Sequence, residues 1–325
     1  MIDGGFIRTL IESDDPLMAV WAEMTRACAV EVMPEDLRAW YDEREEALSR
    51  LERAVYEGYF EAYDELLRVA TSNAGRWAEE LLDKCPLVII ADSLSVREVG
   101  LLAARWKPAG WQIRVEGNGF AVAPFPPMTS GLSRVLLNAE GPSAGRDTPR
   151  FTYRYVAGLE QIPNLATRGR LIAWVRLPDT ALEDVKMAQT HTMAEAFQKA
   201  EETLLSVLVK SGRREAIITS DHGYLYAGSP SQYWSMPSSV EDAARAIFSR
   251  ESRMRPLEDE AARRLKDHES PYVEQRYFAS GSRYIAMRGR YWWGTDSPND
   301  RCTSHGGLSF VECLVPVLRV MRKAT

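Results

Sequence analysis

Cysteine is scarce in this sequence. Only Cys28, Cys85, Cys302 and Cys313 occur among 325 residues, and no two stand in CxxC spacing. The chain therefore reads as a reduced, cytoplasmic protein, with Cys28, Cys85 and Cys313 as small buried hydrophobes. Cys302, three residues before His305, is a candidate ligand by spacing alone. Long apolar runs are missing too. The segment Leu87 to Ala91 is among the longest, far too short to span a bilayer. The first residues lack a basic stretch followed by an apolar core, so no secretory signal is expected. A body-wide positive field is also absent, because the formal net charge is −6. Sequence-blind binding of nucleic acid by the whole surface is thereby excluded, though a local basic groove is not. Histidine is rare, with four in the chain, which gives weight to where each one falls.

What is present is enough apolar material for a globular fold. Hydrophobic residues make up 45% and charged residues 26% of the chain. Residues 1 to 84 read as helical. Pro16 to Val32 carries apolar residues at helical spacing, and Pro34 with Glu35 and Asp36 suits a helix start. Leu37, Trp40, Tyr41, Leu48, Leu51, Val55 and Tyr59 then recur among many charges. Further helices are predicted over Tyr63 to Ala70 and Gly75 to Leu82. A helical cap is the simplest reading, with solvent on the charged faces.

At Cys85 the texture changes to strands alternating with helices. Pro86 to Ala91 is a continuous apolar run, as in a parallel strand buried on both faces, and it ends in Asp92-Ser93. A helix over Val96 to Trp106 follows, then short strands at Trp111 to Glu116 and Phe120 to Ala123. Pro124 to Pro127 stops the second of these. Met128-Thr129-Ser130-Gly131 opens a helix, placing Thr129 among its free N–H groups. Glu140 to Pro149 is a loop by composition. Leu171 to Val175 is a buried strand that leads to Asp179, Glu183 and Asp184. Thr192 to Leu208 is a strongly periodic helix. Glu215 to Ile218 is a strand ending in Thr219-Ser220-Asp221-His222-Gly223. A last strand covers Val315 to Met321, after His305-Gly306-Gly307. Such alternation predicts an α/β fold, a doubly wound, mostly parallel sheet over residues 85 to 325. An α+β insertion is predicted at about 228 to 296, with helices around Ser239 to Arg250 and Leu257 to Asp267. Its stretch from Arg276 to Trp293 is rich in arginine and aromatics. It reads either as a stacking surface for single-stranded nucleic acid or as half-buried strands with a turn near Gly289. The second is preferred.

Three predicted strands therefore end in acidic residues, and ligands bind at that edge of open α/β sheets. The side chains gathered there are Asp92, Thr129, Asp179, Glu183, Asp221, His222 and His305. Carboxylates and neutral imidazoles on stiff strand ends suit divalent metal. His191 and His268 stand in polar contexts and read as surface residues. Ser93 is a rival nucleophile to Thr129 and is better read as the cap of the helix that follows.

The set resembles the alkaline phosphatase superfamily and, within it, the PglZ domain family of bacterial phage-defence (BREX-type) systems. The likeness rests on the strand ending in Asp92, on Pro127-Met128-Thr129, on Thr219 to Gly223, and on His305-Gly306-Gly307-Leu308-Ser309 with Glu312 and Pro316 behind. It covers about Leu87 to Val320. The resemblance implies an alkaline-phosphatase-like core with two divalent ions (Zn, Mn or Mg). One would be held by Asp92, Thr129, Asp221 and His222. The other would be held by Asp179, Glu183 and His305, with Asp184 a competing ligand. Many superfamily members carry His where Glu183 stands, and a carboxylate there favours harder metals. Arg97 stands two residues beyond the place where family members carry an arginine. The implied activity is that of a metal-dependent phosphodiesterase with Thr129 as nucleophile, acting on a nucleotide or nucleic-acid substrate beside other defence-system proteins. The alternatives are an inactive scaffold or ligand sensor, or a phosphomonoesterase or phosphomutase of the same superfamily.

Overall fold

Runs of apolar and β-branched residues with no polar face can only be strands covered on both sides. The computed structural model places them there. It describes residues 4–72, 75–165, 169–185, 192–227, 232–248, 252–260, 262–263, 276–293 and 302–323. His191 and His268 lie outside these residues, as do positions 261 and 264–267 of the helix expected around Leu257 to Asp267.

Among the described residues the elements are α1 (Gly4–Glu12), α2 (Pro16–Ala27), α3 (Leu37–Gly58), α4 (Glu61–Ser72), α5 (Trp77–Lys84), β1 (Leu87–Ala91), α6 (Val96–Trp106), β2 (Trp111–Val122), α7 (Thr129–Leu137), β3 (Thr152–Val156), β4 (Leu171–Val175), α8 (Asp179–Leu182), α9 (Met193–Lys210), β5 (Glu215–Ser220), β6 (Leu225–Tyr226), α10 (Ser238–Ile247), β7 (Met254–Pro256), β8 (Phe278–Ser280), β9 (Tyr284–Met287), β10 (Thr303–Ser304) and β11 (Leu314–Arg322), with a one-turn helix at Phe310–Cys313. The main sheet runs β2-β11-β5-β1-β4-β3. Its β3, β4, β1 and β5 are parallel neighbours, and β11 is antiparallel to β5 and β2. The fold is thus α/β with a mostly parallel central sheet. Successive residues of β1 point to opposite layers: Leu87, Ile89 and Ala91 pack with α6 and α9, Val88 and Ile90 with α5 and α7. No helix among the described residues is long and apolar enough to cross a membrane.

Three features differ from expectation. The strands at Trp111 to Glu116 and Phe120 to Ala123 are one long strand, β2. Gly117 and Gly119 take positive φ within it, and the register against β11 shifts between Pro316 and Leu318. An edge strand, β3, lies at Thr152–Val156, where a mixed Thr-Tyr-Arg-Tyr-Val sequence carries no apolar run. The third concerns the charges of α3. Glu45 and Glu52 are fully buried, not solvent-facing. Glu45 pairs with both Arg97 and Arg290, and Glu52 pairs with Arg290 at 3.1 Å. Residues of α1 to α4 share one core with β8, β9, α10 and Phe310.

The arginine–aromatic stretch supplies β8 and β9 of a small antiparallel sheet, β7-β9-β8. The strand over Arg283 to Trp293 stops at Met287, and Gly289 turns the chain at a φ of 61°. Arg288, Arg290, Tyr291 and Trp293 are buried, and Tyr56 meets the Tyr291 ring edge-on at 5.6 Å. Arg288, Arg290 and Tyr291 face α3 and α4, and Trp293 packs on Phe248, so they do not form an open stacking surface.

Candidate metal centre

Backbone bonds stitch the strand ends together. Asp92 N–H donates to Val175 O (2.9 Å), and Asp179 N–H donates to Asp92 O (3.1 Å). The Ser220 hydroxyl reaches Ala91 O at 2.7 Å. These bonds place Asp92, Asp179 and Asp221 at one edge. Thr129 opens α7, and its N-cap residue Met128 offers no side-chain acceptor to the first N–H groups.

Five distant chain segments meet there. The Thr129 hydroxyl lies 3.1 Å from Asp92 Oδ1 and 3.2 Å from His222 Nε2. His222 Nε2 is 3.5 Å from Asp92 Oδ1 and 3.6 Å from Asp221 Oδ2. His305 Nε2 is 3.8 Å from Asp179 Oδ1, and its ring lies 4.4 Å from that of His222. Two sets of ligand atoms, each within 4.8 Å of one another, result: Asp92, Asp221 and His222, and Asp179, His222 and His305. His222 Nδ1 is 2.9 Å from Gly223 O, which can only accept, so Nδ1 carries a hydrogen and Nε2 is the atom turned to Asp92 and Asp221.

The electrostatics fit a cation site. Burial, together with the charges of Asp221 and Asp179, pushes the Asp92 carboxyl well above the usual carboxylate range. Burial also works to raise Asp179, but His305, His222 and the Ser93 hydroxyl outweigh it and hold this carboxyl below its ordinary value. Burial and the facing His222 hold His305 below the ordinary imidazole value, which leaves it neutral near pH 7. Asp221 Oδ2 and His305 Nδ1 are buried without a hydrogen-bond partner. Crowded carboxylates, two imidazoles and orphaned polar atoms together make a donor set that divalent metal would satisfy.

Glu183 falls in neither set. It follows Asp179 by one helical turn, but α8 ends at Leu182 and Glu183 is its C-cap. Asp184 is exposed and lines a cleft of about 410 Å³ with Leu177, Thr180, Ala181 and Lys199. Cys302 is also outside both sets, and burial pushes its thiol up to about 11. Arg97 is fully buried against Glu45, with its guanidinium 4.7 Å from the Tyr224 ring centre, and does not reach the site.

Ser93 has a larger place than sequence reading gave it. Helix α6 is capped by Ser95, in a capping box with Glu98. Ser93 instead takes a left-handed φ of 66°. Its hydroxyl donates to Asp179 Oδ1 at 2.8 Å and lies 3.3 Å from His222 Nδ1, while its N–H donates to Asp221 Oδ1 at 3.2 Å. It therefore touches residues of both sets. Its position next to an acidic strand end was the available signal.

Behind the site, Glu312 ties the two histidine loops to one short helix. Its backbone carbonyl accepts from Gly223 N–H at 2.8 Å, and its carboxylate accepts from Gly307 N–H at 2.8 Å. Arg253 completes this brace with a fully buried ion pair to Glu312 at 3.1 Å. Glu52 of α3 holds the same helix through Val311 N–H at 2.9 Å.

No protein-family model matches this sequence, and no curated protein does either. Solved structures with partial likeness include murine ectonucleotide pyrophosphatase/phosphodiesterase 5, an inactive variant in complex with AMP. It is 13% identical with a TM-score of 0.27, over 46% of this chain and 47% of that one. Phosphonoacetate hydrolase from Sinorhizobium meliloti, in complex with phosphonoacetate, is 17% identical with a TM-score of 0.21, over 47% of this chain and 46% of that one. Each likeness spans about half of the neighbour's length. Both neighbours belong to the alkaline phosphatase superfamily.

Proposed function

We propose that this protein is a metal-dependent phosphoric ester hydrolase, a phosphodiesterase acting on a nucleotide or nucleic acid with Thr129 as its nucleophile. The observation that carries the reading is the meeting of the Thr129 hydroxyl with Asp92 and His222 at a helix start, beside a second acidic and imidazole set. Asp92, Asp221 and His222 would hold one ion, and Asp179 and His305 the other. Bound there, divalent metal would supply Lewis-acid stabilisation of phosphoryl charge and lower the pKa of a nearby hydroxyl.

The chain's own residues supply the rest. The Thr129 hydroxyl donates to Asp92 Oδ1 at 3.1 Å, a carboxylate in reach of its proton. Its oxygen attacks phosphorus, the bond to the leaving alkoxide breaks as that oxygen takes a proton from solvent, and water later cleaves the nucleotidyl-threonine ester. The free N–H groups at the start of α7 stabilise negative charge on the phosphoryl oxygens. Glu312 and Arg253 keep the two imidazole loops in register. The motif likeness adds a setting, a phage-defence complex with other proteins as partners. Phage challenge of cells carrying a Thr129→Val allele in place of the native gene tests that setting.

The direct test is Thr129→Val with bis(p-nitrophenyl) phosphate and Mn²⁺. Hydrolysis should fall to background while metal content, read by elemental analysis, is retained. Undiminished turnover would remove Thr129 from its role.

A further inference from the structure

One cation stands at the mouth of this acidic site and belongs to neither ligand set. Arg176 is the first residue after β4. Its N–H donates to Val156 O at 2.9 Å, at the same edge where Asp92 N–H meets Val175 O at 2.9 Å. The alternation of β4 fixes the side it takes. Leu171, Ala173 and Val175 belong to the layer of α6 and α9, whereas Ile172 and Trp174 belong to the layer of α7. Arg176 continues the second series, toward the helix that begins with Thr129. Tyr155, opposite Trp174 in the β3–β4 register, packs on that same layer. The Arg176 guanidinium sits against the Tyr155 hydroxyl, and the charges of Asp92 and Asp179 act on that hydroxyl.

The exposure of Arg176 is informative because an acidic site lies beside it. A guanidinium next to crowded carboxylates would ordinarily fold onto one of them. Arg176 acts on Asp179 through its charge and helps hold that carboxyl below its ordinary value, without an ion pair among the described residues. Asp179, the nearest candidate, is occupied by the Ser93 hydroxyl and faces His305. The guanidinium carries five N–H donors in a fixed fork, and the single Tyr155 oxygen cannot use them all. What remains is a cation held by a neutral partner, open to solvent, on the side of the nucleophile.

We propose that Arg176, oriented by Tyr155, binds a second phosphate of the substrate, next to the phosphoryl group under attack. This rests on the phosphoesterase reading and sharpens it. The preferred substrates would be nucleotides or oligonucleotides with a neighbouring phosphate, not simple aryl or alkyl diesters. A bidentate guanidinium–phosphate contact suits that group better than a lysine point charge.

The test is equilibrium binding in a Thr129→Val background with Mn²⁺, so that no ligand is consumed. Thymidine 3′,5′-bisphosphate and thymidine 5′-monophosphate are titrated separately by calorimetry. The bisphosphate should bind about tenfold tighter or better, as one added charge-assisted contact implies. Arg176→Ala should erase that preference and leave the monophosphate affinity within about twofold. Arg176→Lys should keep part of the preference, and Tyr155→Phe should reduce it. Equal weakening of both ligands, or no change in either, would overturn the proposal. Turnover of bis(p-nitrophenyl) phosphate by the otherwise native chain tests the parent reading separately. No turnover together with an Arg176-dependent preference would refute the hydrolase and keep the subsite.

Discussion

Glu45 and Glu46 are neighbours on α3 and look alike in the sequence, yet neutralising each should have very different consequences. Glu46 is exposed and pairs with Arg50 one turn away at 3.2 Å, with both side chains 61% exposed. Such a pair contributes about 0.3–0.5 kcal/mol. Glu45 is fully buried, as are its partners Arg97 and Arg290. With Glu52, the four side chains form a quartet of two arginines and two carboxylates, neutral as a whole. Glu45→Gln keeps the shape but leaves one positive charge uncompensated in the interior, and weakens the acceptor for Tyr226 N–H. Breaking a buried pair from one side costs about 3–5 kcal/mol, a large share of the roughly 5–15 kcal/mol that a typical domain has. Urea unfolding followed by tryptophan fluorescence should show this loss for Glu45→Gln and almost none for Glu46→Gln. Acid should reveal the same quartet. Burial works to raise the Glu45 pKa, but Arg290 and Arg97 outweigh it and hold it below 4.5. The unfolded chain therefore takes up this proton first, so the stabilisation is complete above the unfolded value and is lost as pH falls through the folded one. Glu45→Gln should remove that part of the acid slope. A loss below about 1 kcal/mol, the level of a surface pair, would mean that the quartet is solvated, and would refute the reasoning.

Other consequences follow from the same packing. Gly223→Ala would put a Cβ only 2.0 Å from Val311 O, so the backbone beside His222 must move; activity should fall about a hundredfold or more, measured as kcat/KM, with a smaller loss of stability. Because burial and two neighbouring carboxylates raise Asp92, the metal-free protein keeps a proton there to higher pH than an ordinary carboxylate would. Metal uptake should release that proton and weaken as pH falls, and calorimetry in buffers of different ionisation enthalpy reads the release directly. All four thiols are buried, and burial raises Cys28 to about 12 and Cys302 to about 11. A thiol-exchange reagent should label none of them in the native protein at pH 8 and all four in urea.

The sequence by itself determined the central strands and what ends them. β1, β4 and β5 are legible because a strand buried on both faces needs an unbroken apolar run, and the polar residue that breaks it marks the sheet edge. Thr129 was legible as a helix start because prolines stop the preceding strand. Only the tertiary structure decided which edge residues come within bonding range. Glu183 has the helical spacing of a ligand yet stands apart, and Ser93, which looks like a cap, touches both ligand sets. The fate of charge was equally hidden. Glu45 and Glu46 differ only in which side of α3 faces Arg97 and Arg290, residues some 50 and 245 positions away. Local sequence sets the conformation of a short stretch through sterics and hydrogen bonding. Burial of a charge depends on partners that only the folded chain brings near.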